Sequence, residues 1–222
     1  MDINVAMMAI CIGAPLILMM FFMKPEGRIL MFFLLMGFVA CALSDIINVM
    51  LIENIEHYSD KTFTTYYAPI VEEIVKMVPI LIYTIIKKNE IKDRVSIGMS
   101  IGVGFGVLEN VFYMITNAAK ISSIQWIFGR GFATGLMHAI CTSIVAYMLG
   151  MAYKHRKIYI TGTLAAFAMA VTYHSIYNIM IKTDYSNIIL FMPIITYAII
   201  FYREHRNKIK NYIENKRQEK SA

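Results

Sequence analysis

Charge is scarce in this chain of 222 residues: Asp, Glu, Lys and Arg together make up 16% of it, against roughly a quarter in ordinary soluble domains. With 58% hydrophobic residues and a mean hydropathy of +0.58, that scarcity excludes a disordered chain and argues against a soluble globule. Cysteine is sparse too. Cys11, Cys41 and Cys141 all lie inside apolar runs without C-x-x-C spacing, so they read as small packing residues, not as a disulfide framework or a zinc ribbon. There is a single Trp. H-E-x-x-H and the phosphate-binding G-x-x-x-x-G-K-[ST] are missing, which leaves zincin and nucleotide-driven chemistries without a motif. No serine stands out as a nucleophile beside a His or Lys. The net charge of +6 does not point to nucleic acid, because the basic residues fall in short blocks between apolar runs, as in a polytopic membrane protein.

What is abundant is apolar sequence. About 20 apolar residues are needed to cross a bilayer as a helix, and seven runs qualify: 3–23, 29–52, 66–86, 95–117, 126–153, 158–181 and 185–202. The expected fold is therefore all-α, a polytopic membrane helix bundle of about seven transmembrane helices. Residues 1–202 form one membrane domain, and the charged stretch 203–222 is a cytoplasmic tail. The first run carries Asp2 at its front and Lys24 and Arg28 behind it, unlike a cleavable signal peptide. Sixteen Lys and Arg residues fall in the tail and in connections on its side, against three (Lys61, Lys120 and Lys182) on the other. By the positive-inside rule the N-terminus is outside and the C-terminus cytoplasmic, giving a multi-pass protein of the cell membrane. Methionine, with 18 residues, reads as apolar filler, since it does not cluster with the histidines.

Against this background the ionisable residues within spans stand out: Asp45, Glu72, Glu73, Lys76, Glu109, Arg130, His138 and His174. Each costs at least a few kcal/mol in a bilayer and is retained for a partner or a cavity. Counted from the outer ends of their spans at about 1.5 Å per residue, the carboxylates and histidines share one layer in the outer half of the membrane. Four helices therefore deliver Glu72, Glu73, Glu109, His138 and His174 to one depth. Glu72 and Lys76 are i, i+4 neighbours, which pairs them and leaves Glu73 about 100° away as the favoured base. His174 and Asn178 share a face by the same spacing. Arg130 is near enough to the outer surface to snorkel, and Asp45, in the same layer, either pairs with it or belongs to the site, the structural role being favoured. Gly98, Gly102, Gly104 and Gly106 indicate close helix packing beneath Glu109.

Buried glutamates beside histidines suit water activation, and imidazole and amide donors suit a developing oxyanion. A zinc ion held by two histidines and a glutamate is not excluded. No cofactor is expected, because adjacent glutamates on one helix cannot both aim at one ion and the two histidines lie on separate helices. A proton-coupled transporter would use the same residue types, but it lacks support from an inverted repeat or matched broken helices. A catalytically inactive scaffold or immunity protein is the third alternative.

The ordered motifs Glu72-Glu73-x-x-Lys76, Gly104-Phe105-Gly106-x-x-Glu109-Asn110-x-x-Tyr113, Met137-His138-Ala139-x-x-Thr142 and Tyr173-His174-x-x-Tyr177-Asn178 resemble those of the PrsW family. These are intramembrane proteases related to CAAX prenyl endopeptidases and Abi-type membrane proteins. The resemblance covers residues 66–181. It implies an intramembrane endopeptidase of glutamic type in which Glu72 or Glu73 activates water with help from His138 or Glu109. His174 and Asn178 would stabilise the oxyanion. The implied partner, besides the lipid bilayer, is a single-span membrane protein such as an anti-sigma factor, cut near the outer face.

Overall fold

The computed structural model describes residues 14, 16–21, 23–54, 62–86, 91–116, 124–183 and 191–200, with 202, 206, 210 and 216 in the tail. Among them every regular element is helical: α1 (Pro25–Asn54), a π-helical turn (Phe63–Tyr67) running into α2 (Ala68–Ile86), α3 (Ile91–Thr116), α4 (Ile124–Lys154), a 3₁₀ turn (Arg156–Ile158), α5 (Tyr159–Met180) and α6 (Phe191–Ile200). Most of the first expected span and most of the tail lie outside the described residues. Three helices are long and apolar enough to cross a membrane by composition alone: Pro25–Asn54, Asp93–Thr116 and Arg130–Tyr153. Helices α2 and α5 are not among them. They run 19 and 22 residues; α2 carries three charged residues, Glu72, Glu73 and Lys76, and α5 carries His174 and Asn178. Of the last expected span, residues 191–200 are described as a helix, α6.

Helix α2 shows what kind of solvent the bundle is built for. Ile70, Ile74, Val78, Ile82 and Ile86, at steps of four, are exposed, while Glu73, Lys76, Ile80 and Thr84 are buried. A water-soluble helix has the opposite arrangement. The apolar exterior continues over α1 and α5, through Phe32, Val39, Leu43, Met50, Leu164 and Met169. A surface this apolar is a membrane surface.

Glycines set how closely α3 approaches its neighbours. Gly98 and Gly102 face α4, and Gly104 faces Leu34 of α1. A Cβ at Gly102 would lie closer than 3.0 Å to backbone atoms of His138 and Ala139. That contact fixes the height at which α4 presents His138 beside α3. Gly102→Ala is accordingly expected to lower stability by about 1–3 kcal/mol through overpacking. Gly131→Ala, where a Cβ meets nothing within 4 Å, is expected to be neutral. Heat-induced aggregation in detergent compares the two. The spelling Gly98-x-Ser100-x-Gly102 on the same helix is that of a nucleophile elbow, yet it lies mid-helix. Ser100 Oγ donates to the Ser96 carbonyl at 3.0 Å, so the serine is back-bonded to its own helix instead of being raised on a turn.

The apolar core is continuous along the inner faces of α1–α5. Phe33, Ile80, Ile97, Ile101, Met137, Val145, Leu149 and Tyr177 pack as one cluster, and Phe38, Cys41, Phe105 and Leu108 as a second. Cys41 and Cys141 are buried free thiols, in keeping with a packing role; Cys11 lies outside the described residues. Between the two clusters α2, α3, α4 and α5 converge on the ionisable residues.

Candidate functional site

The polar residues expected to share a depth meet in one connected centre. On α2, Lys76 Nζ donates to Glu73 Oε1 at 2.6 Å, and both side chains are fully buried. The expected Glu72–Lys76 pair is thus replaced by Glu73–Lys76. Spacings of three and four are equally close on a helix, and the position of His138 on α4 selects between them: Lys76 Nζ also lies 2.9 Å from His138 Nδ1. The same Glu73 oxygen accepts from His174 Nδ1 of α5 at 2.9 Å. On its other side, His138 Nε2 contacts Glu109 Oε2 of α3 directly. The two imidazoles stand edge to face with centroids 4.9 Å apart. Phe105 closes the floor, with its ring 4.5 Å from the Lys76 ammonium and 4.7 Å from the His138 ring.

Glu109 is the most accessible of the three site carboxylates, with a side chain 33% exposed, and it marks the open side. Arg130 does not snorkel. Its Nη2 lies 3.7 Å from Glu109 Oε1 and its guanidinium covers the Tyr113 ring at 3.6 Å, so it belongs to the rim of the centre. Asp45, expected as its partner, is exposed on α1. Arg130, Thr134, His138 and Thr142 follow one another at steps of four along α4, and Thr142 donates to its own helix at the His138 carbonyl, 2.8 Å away. Thr134 Oγ1 is 3.2 Å from the Tyr177 hydroxyl, one helical turn from His138 and His174. Asn178 is half-buried on α5, four residues along from His174. Sequence spacing had no means of showing the roles of Arg130 and Tyr177, because each is set by a neighbour on another helix.

Glu72 is the group left over. Its Oε2 atom is buried and accepts no hydrogen bond among the described residues, as is also true of Glu73 Oε2, but Glu73 is held through its other oxygen. It faces His174 Nε2 across 3.6 Å, too long for a direct hydrogen bond. Two donors bound to one tetrahedral zinc at about 2.1 Å are held roughly 3.4 Å apart, which this gap matches. Glu72, His138 and His174 each offer a ligand atom, all within 4.8 Å of one another. Behind His174 stands Glu73, the carboxylate–imidazole arrangement that orients a metal-bound histidine. The donor set therefore fits a divalent ion. Glu72 and His174 are open to it, and His138 joins when a ring nitrogen leaves Lys76 or Glu109. Placing the histidines on separate helices is no obstacle, since α4 and α5 bring the rings together.

A membrane helix bundle built round a buried centre of glutamates and histidines is the class of protein these features define. Within it, the family described as PrsW family intramembrane metalloprotease matches residues 24–202, and the chain belongs to that family. It is 29% identical over 116 residues to a protein named Protease PrsW from Oceanobacillus iheyensis, covering 51% of this chain and 52% of that one. A second Protease PrsW, from Halalkalibacterium halodurans, is 31% identical over 99 residues, covering 43% and 42%. The chain thus spans about half the length of the curated relatives it matches, or somewhat less. No solved structure matches at a comparable level.

Proposed function

We propose that this chain is an intramembrane endopeptidase of the cell membrane that hydrolyses a peptide bond in a single-span membrane protein, such as an anti-sigma factor. The observation that carries the proposal is Glu72 Oε2, buried without a hydrogen bond opposite the bare side of a histidine whose other nitrogen is backed by Glu73. A buried unsatisfied acceptor calls for an explanation, and a reacting water or an ion between Glu72 and His174 supplies one.

Glu72 and His174 together take the position of the proton acceptor for an attacking water. Glu73 holds the His174 ring and stabilises the imidazolium that forms once the ring has taken a proton, as the carboxylate of a catalytic dyad does. His138 and Asn178 supply donors for the developing oxyanion. The curated relatives' printed name, Protease PrsW, supports the assignment to peptide hydrolysis. A divalent ion held by Glu72 and His174 would occupy the atoms that otherwise take the proton, and would instead lower the pKa of its bound water to about 7 and polarise the carbonyl.

Cleavage of a purified single-span substrate, with and without chelator, tests this reading. The 3.6 Å gap between Glu72 and His174 leads us to expect loss of cleavage on chelation and recovery with zinc. Full activity in chelator would return the chemistry to the glutamates alone. Absence of cleavage for every single-span substrate tried would remove the protease assignment.

The proposed topology has seven spans in one membrane domain, an outside N-terminus and a cytoplasmic tail. With the site in the outer half, the cut falls near the outer face. A single cysteine beside Lys61 is expected to react with an impermeant thiol reagent from outside, and one beside Glu219 only after permeabilisation. The reverse pattern would move the site to the cytoplasmic half.

A further inference from the structure

Lys76 has no part in the hydrolytic scheme above, yet it is completely buried at the centre of the site. Its ammonium has three hydrogens to donate and no lone pair to accept with. One goes to Glu73 Oε1, and the neighbour at 2.9 Å is His138 Nδ1. That nitrogen must therefore be the bare one. A neutral imidazole with Nδ1 bare carries its proton on Nε2, and Nε2 faces Glu109 Oε2, an acceptor. Both ends of the ring require the same tautomer.

His174 is held the other way. Its Nδ1 lies 2.9 Å from Glu73 Oε1, and a carboxylate only accepts. The proton is on Nδ1, and in the neutral ring Nε2 is then bare towards Glu72. Two imidazoles 4.9 Å apart thus carry opposite tautomers; Glu109 supports one of them, and the donor and the acceptor on their facing sides are a single ion pair within one turn of α2.

We infer that the Glu73–Lys76 pair is a positioning device that fixes opposite tautomers in the two histidines. Lys76 keeps His138 as an N–H donor aimed at Glu109 and out of reach of a metal, while Glu73 turns a bare His174 nitrogen towards Glu72. This rests on the hydrolytic reading for its purpose, but the geometry and its test do not depend on turnover. It divides the labour between chemically identical side chains, one donating a proton and one accepting.

The test uses the whole chain in lipid nanodiscs with ¹⁵N-labelled histidine, His138 and His174 being assigned by loss of their signals in single Asn variants. In the unsubstituted protein His138 is expected to show a protonated Nε2 with a bare Nδ1, and His174 the reverse. Lys76→Arg keeps a donor-only cation and is expected to preserve both patterns. Lys76→Gln combined with Glu109→Gln replaces both groups that demand this tautomer with amides that can accept as well as donate, so the His138 signature is expected to mix or invert. Zinc titration of Lys76→Gln is then expected to show affinity at least about tenfold higher, the scale on which partners behind a ligand act. A bare Nε2 on His138 in the unsubstituted protein overturns the inference, as does an unchanged His138 signature in the double glutamine variant. Should the glutamine variant fail to fold, the unsubstituted spectrum decides alone. Failure of the protease reading would show as absent cleavage with both tautomers intact, a different result.

Discussion

Glu72→Gln is expected to reduce cleavage by about 10²–10⁴-fold, equivalent to about 3–5.5 kcal/mol of barrier, while the protein remains folded in the membrane. Glutamine keeps the shape of the side chain but neither takes a proton from water nor binds an ion as a carboxylate does. Stability is spared because the Glu72 Oε2 atom makes no hydrogen bond that the substitution would break. Sequence spacing favours Glu73 as the base, and Glu73→Gln is expected to be inactive too, but for another reason. It leaves the Lys76 ammonium buried without its counter-ion, so the melting temperature falls along with activity. The two variants separate when cleavage and thermal stability are measured on the same preparations. Near-normal turnover in Glu72→Gln would return the role to Glu73.

The second large effect is on folding. Lys76→Met is expected to destabilise the protein by about 3–5 kcal/mol, the usual cost of removing one partner of a buried ion pair. Both side chains are inaccessible, with 0% and 1% of their surface exposed, so solvent cannot screen the charge left on Glu73. Adding Glu73→Leu to the Lys76→Met variant removes that orphaned charge and is expected to recover most of the loss, because a well-packed apolar pair substitutes for a buried ion pair at little cost. The double variant is expected to be folded and inactive, as His174 then lacks the carboxylate that orients it. Denaturant unfolding in detergent, read beside cleavage, tests both halves. If the double variant is no more stable than Lys76→Met alone, the pair is not what destabilises the single variant.

Much of the protein is determined by its sequence alone. A membrane bundle follows from apolar runs near the length of a bilayer, and the inward residues are legible because charge is costly in lipid, so each Glu, His and Lys in a span marks an inner face. The common depth of Glu72, Glu73, Glu109, His138 and His174 follows from the rise of a helix, and the structure brings all five into contact. Glycine spacing on α3 likewise forecasts the close approach to α4. What only the tertiary structure decides is who partners whom. Lys76 stands three residues from Glu73 and four from Glu72, near-equal choices on a bare helix; His138, reaching in from α4, draws the ammonium to Glu73. Arg130 is close enough to the surface to snorkel by residue count, yet the Tyr113 face and the Glu109 carboxylate hold it at the rim. Depth along a helix is a local property written in residue number. Partnership depends on the rotation of one helix against another, and that is fixed only when the whole bundle packs.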